Sequence, residues 1–229
     1  RELAINIIKD IWSYETILIK DERYLTAGDW VKMENNTVSI NPSYLAPYIY
    51  RVFASIDSSH NWLEIVDTSY DIIHRCSESS KAYLPPDWCM FNRNGEVVLP
   101  DISNKKNDTS YDAFRTYWHL AFDYVWFGEK RAYKYIKSGS ALLAAHWIKK
   151  GKFADSYAKD GSPRSDNEAL SIYGMLLPSL AIADHNLADD IYNKKIIPSY
   201  RNGFWGNQEE YYSQNWVWFG IALFKGIKP

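Results

Sequence analysis

The chain has 229 residues and carries 26 basic against 28 acidic side chains, a net charge of −2 that supplies no electrostatic footprint for nucleic acid or an anionic membrane surface. Its length suits one well-cored domain over 1–229, and no apolar run of about 18 residues is present to span a bilayer. Aromatic residues make up 16% of the chain, more than a core of this size needs, and their flat faces suit a neutral partner such as the C–H face of a sugar ring.

Arg1 opens directly into a helical pattern with Leu3, Ile7, Ile8 and Ile11 on one face, which points to an absent upstream segment. Between Thr16 and Ile40 the short β-like pieces TILIK and VSI interrupt a long excursion. Asn41-Pro42-Ser43-Tyr44 then opens a helix, with Ser43 the expected cap and Pro47 tolerated in the first turn. The following helix, HNWLEIVDTSYDIIHRC, should bury Trp62, Ile65, Val66, Ser69, Ile73 and Cys76. Its Asp67 and Asp71, four residues apart, read as solvated neighbours rather than a catalytic pair. His60 and His74 are too far apart to chelate together and no H-x-x-x-H occurs, so neither a metal site nor a cofactor is expected.

Lys81 to Asp108 is rich in turn residues, holds YLPPDWCMFNRNGEV and carries a hairpin signal at Asn94-Gly95. Cys76 and Cys89 permit one disulfide. A helix is then expected from Ser110 to Gly128, SYDAFRTYWHLAFDYVWFG, capped by Thr109 or Ser110. At about 100° per residue, Asp112, Arg115, Thr116, His119 and Asp123 form a polar stripe opposite Phe114, Tyr117, Trp118, Ala121 and Val125. The residues alone allow either a surface helix with a wet side or one wall of a cleft.

Glu129 to Lys150 reads as a structural helix in which Gly139 marks a close helix contact. After the polar stretch Lys152 to Asn167, Glu168 to Ala183 forms an apolar helix that Pro178 should kink or shorten. Leu187 to Ile197 is a short helix stopped before Pro198, and the tail ends on an aromatic helix.

Several of these stretches resemble glycoside hydrolase family 8, the inverting (α/α)6-barrel β-glycanases. YDAFR is similar to the family's Y-D-A-x-R segment, NPSYLAP to its N-P-S-Y-x-x-P segment, PDW to a cleft loop, and the Y-Y-x-Q-N line near the C-terminus to its closing helix. The resemblance implies an all-α fold of (α/α)6-barrel (toroid) type, with long loops holding the short β pieces. It implies Asp112 as catalytic base, Tyr44 holding the attacking water and Arg115 orienting Asp112 or binding a sugar hydroxyl. Trp88 and Tyr111 would bind substrate. The implied partner is a β-1,4-linked polysaccharide or oligosaccharide, cellulose-like or bacterial, with chitosan and xylan as alternatives, in an extracellular or periplasmic location.

Inverting hydrolysis needs a protonated acid and an ionised base roughly 6.5 to 9.5 Å apart, with water between them. Asp112 suits the second role, because a helix start and a neighbouring arginine both favour negative charge. The family's acid is a Glu in an earlier segment that has no counterpart here, and Glu168, Glu209 and Glu210 lie in no matching motif. About eight long helical patterns are visible, fewer than a closed toroid of six helix pairs requires. The chain is therefore expected to be the C-terminal portion of the domain, with a missing N-terminal segment as partner. Helices near Leu3 to Ile11 and at the C-terminus should then expose apolar faces. The other reading is a protein that lacks the acid and binds glycan without cleaving it.

Overall fold

The computed structural model describes residues 2–98 and 108–226; most of the turn-rich stretch Asp101 to Asp108 lies outside the described residues. Helix α1 (Glu2–Tyr14) leads into an antiparallel hairpin of β1 (Thr16–Ile19) and β2 (Glu22–Leu25). β3 (Thr37–Ile40), β4 (Cys89–Asn92) and β5 (Val97–Val98) form an antiparallel sheet in that order, and the Asn94-Gly95 turn joins the last two. These strands are short additions to a helical body.

Between β3 and β4 run a 3₁₀ turn (Pro42–Tyr44), α2 (Pro47–Ile56) and α3 (Trp62–Glu78). Ser43 is not a helix cap. It sits inside the 3₁₀ turn and donates its N–H to the Asn41 side chain, while α2 begins at Pro47 after an Ala46 cap that makes no side-chain bond. Proline disfavours helical backbone in the residue before it, so the helix cannot run from Tyr44 through Ala46. Cys76 near the end of α3 is disulfide-bonded to Cys89 of β4.

The body continues with α4 (Tyr111–Phe127), α5 (Lys130–Lys150), α6 (Leu170–Ala183) and α7 (His185–Ile191). A π turn (Tyr192–Ile196) then runs into α8 (Ile197–Ser199), a small ribbon of β6 (Tyr200–Arg201) and β7 (Phe204–Trp205), and α9 (Tyr211–Phe224). Pro198 therefore lies inside the last helical turn instead of after it, one residue before the run ends at Ser199, where its missing N–H costs the helix least. Pro178 does not shorten α6, which continues to Ala183. The missing N–H frees the Gly174 carbonyl, and that carbonyl lies against Gly220 of α9 at a helix crossing too close for any side chain.

α6 is buried at every position from Ser171 to Leu180, as expected of a helix apolar on all sides. It packs on α4 and α9, and α4 also packs on α2, α5 and the 3₁₀ turn. The polar stripe expected along α4 is consequently not a wet face. Thr116 and Asp123 are fully buried, whereas Val125 of the apolar set is exposed. With neighbours on several sides, burial along α4 follows its partners and not its own periodicity. Gly139 is a close contact as expected: the Tyr117 ring occupies the space a side chain there would need. Leu3 and Ile7 of α1 and Trp218 and Phe219 of α9 are exposed.

Candidate active site

The N-terminus of α4 presents backbone N–H groups without helical partners and a partial positive charge, and Asp112 sits in that first turn. The cap is not the one expected. Neither hydroxyl caps the helix: Thr109 Oγ1 donates to the Pro85 carbonyl at 2.7 Å, and Ser110 Oγ donates to Asp87 Oδ2. Asp87, from the loop before β4, supplies the cap by accepting the N–H of Ser110 and of Ala113 on Oδ1, each at 2.9 Å. Burial pushes the Asp87 carboxyl above its usual range, and the bonds from Ser110 and Ala113 oppose that shift.

Asp112 is held through both oxygens. Arg115 Nη2 donates to Oδ1 at 2.6 Å and Asn41 Nδ2 donates to Oδ2 at 3.0 Å. Arg115 Nη2 also reaches Ser43 Oγ at 2.9 Å, and that hydroxyl donates to Asn41 Oδ1 at 2.7 Å. Asp112, Arg115, Ser43 and Asn41 thus form a closed ring of charge-assisted and neutral bonds between α4 and the 3₁₀ turn. The Asp112 side chain remains 36% exposed, so a water can approach it.

Aromatic rings wall this centre. The Arg115 guanidinium lies 5.3 Å from the centre of the Tyr44 ring, Tyr44 meets Trp88 at 6.2 Å, and Trp88 meets Trp30 at 6.3 Å. Tyr111, next to Asp112 in the chain, faces Tyr212 at 6.3 Å, and the Tyr212 hydroxyl donates to the Tyr111 carbonyl. Burial pushes the Tyr212 phenol up to about 12, Arg115 opposing and Asp112 reinforcing the shift. Tyr44, Tyr111 and Trp30 keep exposed surface for a ligand, as flat rings at a binding edge must. His119, one turn beyond Arg115, is pushed down to about 4 by burial and by Arg115, so it is neutral at ordinary pH.

All five residues singled out from the sequence, Tyr44, Trp88, Tyr111, Asp112 and Arg115, are brought to this one end of α4. Asn41, Ser43, Asp87, Trp30 and Tyr212 were missed. The first three stand inside or beside motifs already noted, but nothing in their spacing says that they bond Asp112, Arg115 or the start of α4. Glu168 is engaged by Lys195 and Tyr173, and Glu210 accepts from Ser213 Oγ at 3.0 Å. Among the described residues no group of three or more His, Cys, Asp or Glu side chains could hold a metal ion. A cavity of about 480 Å³ lined by Tyr70, His74, Tyr83 and Tyr135 includes none of the residues of this centre.

Fold and site together define an all-α protein of the (α/α)6-barrel type with an aromatic-walled carboxylate at a helix start. The profile of the glycosyl hydrolases family 8 matches residues 4–215, and the chain belongs to that family. It is 31% identical to endoglucanase A of Acetivibrio thermocellus over 173 residues, which cover 73% of this chain and 34% of that protein. It is 29% identical to endoglucanase C of Ruminiclostridium cellulolyticum over 207 residues, 89% of this chain and 42% of that protein. The apo structure of a β-1,3-1,4-glucanase from Paenibacillus sp. X4 superposes with a TM-score of 0.82 at 19% identity, covering 100% of this chain and 60% of that one. The chain thus spans between a third and three fifths of these relatives.

Proposed function

We propose that this chain carries the base side of an inverting endo-hydrolase acting on a β-1,4-linked glycan. The observation that carries the reading is Asp112, fixed through both oxygens by Arg115 and Asn41 yet open to solvent. A carboxylate has about four lone-pair sites, so two hydrogen bonds leave Asp112 able to take a proton from water. Tyr44 positions that water, Arg115 orients the carboxylate, and Trp88 and Tyr111 stack on sugar rings. None of the carboxylates of this chain lies in the acid motif of the family, so this reading assigns it the base and no general acid. The Cys76–Cys89 disulfide supports an extracellular or periplasmic site of action, because such bonds persist in oxidising compartments.

The test uses the full-length protein and defined cello-, xylo- and chitosan oligosaccharides, with products followed by NMR. A β-linked substrate should yield α-anomeric product first, and Asp112→Asn should lower kcat by about 10²- to 10⁴-fold. Retention of the β-anomer, or unchanged activity in Asp112→Asn, overturns the reading. The rates across the three oligosaccharide series identify the glycan. Binding without cleavage by the full-length protein would instead support a glycan-binding role.

A further inference from the structure

We propose that Asp87 is a positioning residue for Asp112: from the neighbouring loop it holds the first turn of α4, and with it the base, against the aromatic wall. This rests on the reading of Asp112 as the base. The helix start has N–H groups that its own Ser110 does not satisfy, since the Ser110 hydroxyl points to Asp87 as a donor. Asp87 Oδ1 takes the N–H of Ala113, the bond that a capping side chain at Ser110 would normally make, together with the N–H of Ser110 itself. Asp112 lies between these two anchored residues.

The two strands of chain around this bond are laced together. The Asp87 N–H donates to the Asp108 carbonyl at 2.8 Å, and Thr109 Oγ1 donates to the Pro85 carbonyl. On its other side the same loop is tied to α3 by the Cys76–Cys89 disulfide. Between the disulfide and Asp87 stands Trp88, which meets both Tyr44 and Trp30. One dipeptide therefore sets the base through Asp87 and the aromatic wall through Trp88. Asp87 does not act on substrate itself, because its two oxygens are turned into α4 and engaged by three donors.

Displacement of a catalytic group by about 1 Å can cost about 10²-fold in rate, so loosening this turn should register in kcat. The experiment compares Asp87→Ala with Asp87→Asn in the full-length protein, well below the unfolding temperature and normalised to folded enzyme. Asparagine keeps Oδ1 as acceptor for both N–H groups, whereas alanine removes it. Asp87→Ala should lower kcat by about 10- to 10²-fold with KM changed less than about threefold, and Asp87→Asn should stay within about threefold of wild type. Amide exchange at Ser110 and Ala113 should accelerate in Asp87→Ala and not in Asp87→Asn.

Unchanged kcat and unchanged exchange in Asp87→Ala overturn the proposal. A tenfold or larger loss in a well-folded Asp87→Asn with normal exchange also overturns it, since charge and not position would then be at work. If Asp87→Ala does not fold, the asparagine variant alone decides by that criterion. If the wild-type protein hydrolyses no glycan, the base reading fails on its own, and exchange at Ser110 and Ala113 still decides whether Asp87 holds the turn.

Discussion

Replacing Asp123 by alanine tests whether the far end of α4 is held by a buried ion pair. Asp123 is fully buried and accepts Arg51 Nε at 2.8 Å, Arg51 Nη2 at 3.3 Å and the Tyr70 hydroxyl at 2.6 Å. Arg51 Nη2 also reaches Glu129 at 2.6 Å, so α2, α3, α4 and the start of α5 meet at one cluster. Removing one partner of a buried pair costs about 3–5 kcal/mol because the other charge is left desolvated. Arg51 retains Glu129 and is 21% exposed, which places its share near the lower figure. The orphaned Tyr70 hydroxyl adds about 1–3 kcal/mol. A total of about 4–6 kcal/mol corresponds to a Tm lower by roughly 8–24 °C for a chain of this size. Urea unfolding followed by far-UV circular dichroism measures it. Arg51→Met combined with Asp123→Leu should recover part of the loss, since neither charge is then stranded. A change below about 0.5 kcal/mol in Asp123→Ala, the size of an ordinary surface substitution, would refute the reasoning.

The same cluster carries a pH signature. Hydrogen bonding from Arg131, opposed by burial and helped by Arg51, pulls the Glu129 carboxyl down to about 2 from its ordinary 4.5. A depressed carboxylate contributes stability that is present above about pH 4.5 and lost as pH falls toward about 2. Urea midpoints between pH 2 and 6 should therefore fall more steeply in wild type than in Glu129→Gln, and parallel curves would contradict this. Reducing the Cys76–Cys89 bond, which closes a sequence separation of 13 residues, should cost about 3 kcal/mol; unfolding with and without reductant, and the double serine variant, measure it. Gly174→Ala should cost about 3 kcal/mol or more in the same assay, because a Cβ there would lie 2.3 Å from the Trp216 carbonyl oxygen and only separation of α6 from α9 relieves it. A tolerated alanine would show that this crossing is looser than drawn.

The helical elements were largely legible in the chain, because the repeat of apolar residues in segments such as Trp62 to Cys76 depends on local geometry alone. The failures have a common cause. Ser43 and Ser110 carry the right hydroxyl at the right place for a cap, yet Asn41 and Asp87 take the N–H groups, and Asp87 is 23 residues away in sequence from Ser110. The stripe along α4 leaves a wet face and a cleft wall equally open, and Asp123 instead meets Arg51 across 72 residues. Helical periodicity says which residues share a side, and says nothing about what will stand opposite.

By itself, then, the sequence determined where helices form, that Asp112 and Arg115 share one turn, and that NPSY, PDW and YDAFR resemble segments of one family. The tertiary structure decided how that turn is held. It brought Asn41 to Asp112 from 71 residues away, set Tyr44 under the guanidinium of Arg115, and replaced the expected serine cap with a carboxylate from another loop. Such bonds join positions that only the packing of α2, the 3₁₀ turn and α4 makes neighbours, and no local propensity encodes them.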